Sequence, residues 1–177
     1  MLRLTTERLV LRPLSMDDLD DIARFVADPE TMRYIGAGGT RTRDQARVTL
    51  EHMIQSFEAQ GFGQLGVERK EDGALLGRCG LLVWDAETWT ITEDDDEPVE
   101  IEVAYLVGRD YWGNGYATEA ATAVCDWALA ELGLERLIAL IYPGNVRSIR
   151  VAEKLGMAPE GEIEIFGNRV SLYALAA

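Results

Sequence analysis

Between Arg109 and Ala121 the chain reads R-D-Y-W-G-N-G-Y-A-T-E-A-A, two glycines set between an apolar strand and an Ala-rich helix. Before it, Ile101, Val103, Tyr105 and Val107 alternate with Glu100, Glu102, Ala104 and Leu106, a period near two that predicts a strand. After it, Ala117, Ala120, Ala121, Val124, Trp127, Ala128 and Leu132 share one helical face, and Gly133 suits a C-terminal stop. Gly113 and Gly115 admit backbone angles that other residues resist, and leave no side chain between the backbone and a ligand. The first turn of a helix offers unpaired N–H groups and the positive end of a dipole. Strand, glycine turn and helix start together suit a phosphate cradle. They equally suit a bare tight connection, and this segment alone does not choose.

At 177 residues, with 47% hydrophobic and 27% charged residues, the chain is expected to form one domain over residues 1–177 with a proper core. No apolar run approaches the ~20 residues of a membrane helix. The start M-L-R-L-T-T-E-R lacks the apolar stretch of a signal peptide. Cys79 and Cys125 lack metal-ligand spacing and read as buried thiols, so a cytoplasmic protein without a metal is expected. His52, the single histidine, reads as an ordinary helix residue. Against 17 basic residues stand 31 acidic ones, a formal net charge of −14. Nucleic acid is therefore an unsuitable partner, since phosphate contacts need a basic face. A cationic small molecule suits the field better, although an acidic surface also serves solubility alone.

The punctuation of the chain gives the element order. A strand is expected over Leu4–Pro13, then a helix capped by Ser15 with Asp18 three residues on, ended by Asp28-Pro29. After Gly36-Ala-Gly38-Gly39, Thr42 caps a second helix reaching Gly61. Strands over about Phe62–Arg69 and Ala74–Trp84 flank the hairpin signal Asp72-Gly73. The Glu100–Val107 strand, the glycine turn and the Ala-rich helix follow. Then come a strand over Arg136–Tyr142, a helix over Val146–Leu155 stopped by Gly156, and two strands turning at Gly167-Asn168. The order β-α-α-β-β-β-α-β-α-β-β implies an α/β (α+β) domain, a mixed sheet with helices on both faces.

Familiar nucleotide loops do not fit. No Lys and hydroxyl residue follow the second glycine, and Thr118 stands where a dinucleotide fingerprint has its third glycine. A second constellation, N-V-R-S-I-R-V-A-E-K-L-G-M from Asn145 to Met157, places Asn145 as a helix cap and Ser148 one turn in. With T-E-R-L-V-L-R-P-L, D-P-E-T-M-R-Y-I, G-L-L-V-W, E-V-A-Y-L-V and Y-W-G-N-G-Y-A-T-E-A in this order, the chain resembles the Gcn5-related N-acetyltransferase (GNAT) superfamily. Within it the chain is most similar to the branch of ribosomal-protein N-terminal acetyltransferases (RimJ/RimL-like).

The resemblance implies a single-domain GNAT fold, whose mostly antiparallel sheet is split in a V between two central strands. It implies acetyl-CoA as donor. The pyrophosphate would rest on Trp112-Gly113-Asn114-Gly115-Tyr116-Ala117, where Trp112 replaces the usual Gln or Arg, with Arg109 as a further contact. The strand backbone at Leu106 and Val107 would pair with the pantetheine arm, and Asn145 and Ser148 would face pantetheine and sulfur. Many relatives carry a tyrosine acid where this chain has Ala152, so that role passes to Ser148 or to water.

Acetyl transfer needs a neutral amine, and an α-amine (pKa ~7.7–8.0) requires less help than a side-chain amine (~10.4). Glu102 matches the branch's E-I-G-Y position and is the first candidate base, with Glu100, two residues earlier on the same strand face, in reserve. Trp84 and Trp89, with the acidic run Glu93 to Glu97, would lie on the acceptor side together with these glutamates. The acceptor is then a protein N-terminal α-amine or a small cationic amine. The other reading is a non-catalytic acyl-CoA-binding or partner-binding module, and a homodimer stays open.

Overall fold

The computed structural model describes residues 2–93 and 98–176. Eight strands form one sheet: β1 (Leu4–Thr5), β2 (Leu9–Pro13), β3 (Gln64–Arg69), β4 (Leu75–Asp85), β5 (Val99–Val107), β6 (Arg136–Ile141), β7 (Ala158–Ile165) and β8 (Asn168–Ala176). Their order across the sheet is β1-β2-β3-β4-β5-β6-β8-β7. Every pairing is antiparallel except β5 with β6. Among the described residues there are five α-helices: α1 (Leu19–Ala27), α2 (Pro29–Met32), α3 (Arg43–Gln60), α4 (Tyr116–Ala130) and α5 (Val146–Lys154). None of the helices described is long and apolar enough to cross a membrane.

Small residues let α4 lie close to the sheet. Ala120, Ala121 and Ala128 have no exposed surface and pack with Val124 and Cys125 against Leu9, Leu11, Leu81 and Val103. On the other side α1 and α3 bury Leu19, Ile22, Phe25, Ala46 and Leu50 with Leu75 and Leu106. The expected helices on both faces are found. Leu132, expected on the buried face of α4, instead lies beyond its end and is exposed.

Three sequence boundaries shift. The strand expected over Leu4–Pro13 is two strands, because the chain turns at Thr6, whose N–H and hydroxyl engage Leu9. That turn lets Thr6 Oγ1, Arg8 N and Arg8 Nε all reach the Glu119 carboxylate on α4, at 2.6, 2.8 and 2.7 Å. Asp28-Pro29 does end α1, but it also starts α2: proline suits a first helical position, and Asp28 caps it by accepting from Thr31 N at 3.0 Å. The last hairpin turns at Phe166-Gly167, one residue earlier than expected. Both have positive φ (53° and 70°), as a two-residue hairpin turn requires.

The sheet is split where the site lies. β5 and β6 share the single register pair Glu102↔Ile138, whereas β4 pairs with β5 from Gly77↔Val107 to Asp85↔Val99 and β6 with β8 from Arg136 to Ile141. Towards Val107 the two strands therefore part, giving the expected V.

Candidate active site

The glycine turn faces a cleft of about 640 Å³ that opens at this V. Gly113 and Gly115 hold φ of 79° and 82°, and a Cβ on Gly113 would stand in open space. The first amide bond of α4 runs from Glu119 to Gly115 O at 3.0 Å, and Gly115 has no side chain to cap the amides before it. Tyr116, Ala117 and Thr118, which carry them, line the cleft with Leu106, Val107, Trp112 and Gly113. Trp112 pins the turn to the strand end: its Nε1–H donates to Val107 O at 2.7 Å, and the Arg147 guanidinium stacks on its ring at 4.2 Å.

Two of the residues expected to contact the donor are not in the lining of this cleft. The side chain of Arg109 is exposed and pairs with Asp28 at 3.6 Å. Asn114 braces the turn: its Nδ2 donates to Tyr111 O and Trp112 O, and its backbone carbonyl accepts from Arg8. The cations that do line the cleft are Arg33 and, along one edge of α5, Arg147, Arg150 and Lys154. Their spacing of three and four residues in V-R-S-I-R-V-A-E-K was the available signal. A basic edge on a chain of net charge −14, beside uncapped amides and a parted strand, fits a long ligand with several phosphates.

At the start of α5, Asn145 Oδ1 accepts from Ser148 N at 3.3 Å and Asn145 Nδ2 donates to Ser148 Oγ at 3.0 Å. Ser148 Oγ thus serves as an acceptor there, and its own proton remains available to donate. The Tyr105 hydroxyl donates to Ser148 O at 3.2 Å, and burial pushes this phenol's pKa up. Ala152 is wholly buried in the main core, so no hydroxyl enters from that turn.

A second cleft, of about 220 Å³, shares Tyr34, Ile35, Tyr105, Asn145 and Ser148 with the first. Glu102 lines it at the apex of the split. Its Oε2 accepts from Trp84 Nε1 at 2.8 Å and its Oε1 from Leu140 N at 3.3 Å, an amide that the parted ladder does not pair with β5. Burial raises the Glu102 pKa to about 7, against the lowering pull of those two donors and of nearby Arg78. Glu100, on the same strand face, has other partners. Its carboxylate holds Arg136 at 3.0 Å, which also reaches Glu160 at 2.7 Å, and it lines neither cleft. Trp84 lines the second cleft, while Trp89 packs behind it. Of the acidic run, Glu93 accepts from Ser56, and residues 94–97 lie outside the described residues. Arg78 was missed from sequence. Its signal was a lone charge inside the apolar strand L-L-G-R-C-G-L-L-V-W.

Comparison with known proteins agrees with this geometry. The acetyltransferase (GNAT) domain family matches residues 8–158. YkkB of Bacillus subtilis (strain 168) is 33% identical over 174 residues, 97% of this chain and 94% of that protein. The uncharacterized N-acetyltransferase p20 of Bacillus licheniformis is 30% identical over 159 residues, 89% of this chain and 83% of its own. An acetyltransferase structure from Agrobacterium tumefaciens str. C58 superposes with a TM-score of 0.79 at 28% identity, covering 100% of this chain and 95% of that one. The chain belongs to the GNAT acetyltransferase family. It is an acetyltransferase by that membership, with acetyl-CoA the implied donor.

Proposed function

We propose that this protein moves an acetyl group from acetyl-CoA to a primary α-amine by direct attack in a ternary complex. The observation that carries the reading is Glu102: a buried carboxylate at the apex of the split, where two clefts adjoin, titrating near 7. Such a base has least to overcome with a chain-terminal α-ammonium at ~8 and most with a lysine-type ammonium at ~10.4, while the α-ammonium of a free amino acid, stabilised by its own carboxylate, falls between them. The larger cleft would hold the donor: the amides of Tyr116–Thr118 and the cations Arg147, Arg150 and Lys154 for its phosphates, and the parted edge at Leu106 and Val107 for its arm. When bound, acetyl-CoA supplies an electrophilic thioester carbonyl and a thiol leaving group.

Glu102 takes the first proton of the ammonium and leaves a neutral amine. The C–N bond then forms and the C–S bond breaks. Of the two protons lost by the nitrogen, one is released to solvent through Glu102. The other replaces the proton that Ser148 Oγ gives to the sulfur. Asn145 orients that hydroxyl, and Tyr105 anchors the first turn of α5 that bears it. The acceptor enters through the smaller cleft, either as the N-terminus of a protein, as in the ribosomal-protein branch, or as a small molecule. Ala152 favours a second reading, a module that binds acyl-CoA without turnover, because the usual tyrosine acid is absent.

Incubation with labelled acetyl-CoA and a mixed panel of α-amines separates the two. Acetylated product and free CoA thiol, both suppressed in Glu102→Gln, support the enzyme. Tight CoA binding with no product at any pH between 6 and 9 supports the module.

A further inference from the structure

Along one face of β4, Arg78, Gly80, Leu82 and Trp84 stand opposite Leu106, Ala104, Glu102 and Glu100 of β5. Arg78 therefore shares a face with Glu102, and the positions between them, Gly80 and Ala104, carry almost no side chain. Arg78 donates one hydrogen bond, to the neutral Gln64 Oε1, and makes no ion pair among the described residues. Gln64 pairs with Gly80, where a Cβ would strike Gly63 O just before β3. A guanidinium has five donors, and a cation drawn into a protein with one neutral partner is costly unless an anion completes it. Glu102 affects it only through space, at beyond ion-pair distance. Both residues line the smaller cleft.

We propose that the acceptor is a free amino acid, its α-carboxylate on Arg78, its α-amine facing Glu102, and an apolar side chain against Leu82, Trp84, Tyr142 and Phe166. The proposal rests on the reading that the smaller cleft takes the acceptor. One cation and one carboxylate lining the same small cleft complement a zwitterion. A protein N-terminus presents a neutral amide where the carboxylate would be, and leaves Arg78 uncompensated. A polyamine presents a second cation to it. The walls agree: Phe166, 55% exposed, is held at a φ of 53° that bulky residues avoid, with its ring 6.4 Å from Trp84. A cleft of about 220 Å³ suits one small molecule. The field of the whole chain favours cations, but the charges inside the cleft are balanced, and short-range partners decide what is bound there.

The test is equilibrium binding, independent of turnover. The whole protein, saturated with CoA, is titrated by calorimetry with L-leucine, L-methionine, L-phenylalanine and L-tryptophan and with their α-carboxamides. At least one acid is expected to bind more than tenfold tighter than its own amide. Arg78→Met should remove that difference with little change in amide binding, and Arg78→Lys should keep part of it. Amides binding as well as acids, no acid binding, or equal loss of both in Arg78→Met overturns the proposal. Should Arg78→Met not fold, the comparison of acid with amide in the unaltered protein decides by itself. Acetyl transfer to the bound acid is measured separately. Selective binding without transfer sinks the role of Glu102 as base and leaves the carboxylate site standing.

Discussion

The indole of Trp84 and the carboxylate of Glu102 are diagonal neighbours on one face of the β4–β5 ladder, joined by a 2.8 Å bond from Nε1–H to Oε2. The bond stabilises the anion, yet Glu102 still titrates near 7, because burial outweighs it and the Leu140 amide together. Trp84 thus sets how far the Glu102 pKa climbs. Trp84→Phe, which keeps the aromatic wall and removes the donor, should move the acidic limb of the rate profile to higher pH. A pH profile of kcat/KM that overlays the unaltered protein's would separate Trp84 from the titration.

Glu102→Gln removes the proposed proton acceptor and keeps the shape. Turnover at pH 7 should fall by about 100-fold, the usual scale for a general base, with CoA affinity nearly unchanged. The rate should recover in part above pH 8, where more of an α-amine is already neutral. Steady-state kinetics from pH 6 to 9 check this, and turnover equal to that of the unaltered protein throughout would remove Glu102 from the mechanism.

The same substitution has a thermodynamic signature. The Glu102 pKa is 4.5 as a reference and about 7 when folded, so between those values the folded chain binds a proton that the unfolded chain has released. Its contribution is favourable below pH 4.5 and is lost as pH rises through 7. Relative to the unaltered protein, Glu102→Gln should gain stability from pH 5 to pH 8, by up to about 3 kcal/mol. Denaturant melts at the two pH values measure it, and a difference independent of pH would contradict the raised pKa.

Asn145 and Ser148 share two hydrogen bonds but should fail differently. Ser148→Ala removes the hydroxyl proposed to protonate the departing sulfur and leaves the helix cap in place, so kcat should fall about tenfold or more while KM for acetyl-CoA holds. Asn145→Ala removes the cap that accepts from Ser148 N and should cost about 1 kcal/mol of stability. Kinetics and melting of both variants separate the roles, and loss of activity in Asn145→Ala alone would make this helix start a binding element only.

Trp112 stands where most of the superfamily has Gln or Arg, and its indole N–H closes on Val107 O. Trp112→Phe keeps the surface on which Arg147 stacks and releases that carbonyl. CoA affinity should weaken about fivefold, the worth of one hydrogen bond near 1 kcal/mol, with kcat little changed. Calorimetry with CoA reads this directly.

Periodicity and turn chemistry determined much of this protein from sequence. Alternation around Glu102 gave β5, small residues along one face gave α4, and the glycine spacing at Gly113 and Gly115 gave the turn between them, because these are local preferences of neighbouring residues. Order and spacing of motifs gave the family. Tertiary structure alone decided which polar groups line the clefts. Glu100 and Glu102 look equivalent along the strand, but the chain brings Arg136 to one and Trp84 with the Leu140 amide to the other. Arg109 stands beside the glycine turn in sequence and pairs with Asp28, while cations from α5 line the cleft. Arg78 gave only a lone charge in an apolar run until strand register set it across Gly80 and Ala104 from Glu102. Local pattern fixes which face of an element a side chain occupies. Its partner, its burial and therefore its charge state depend on residues distant in sequence, and only the folded chain brings those together.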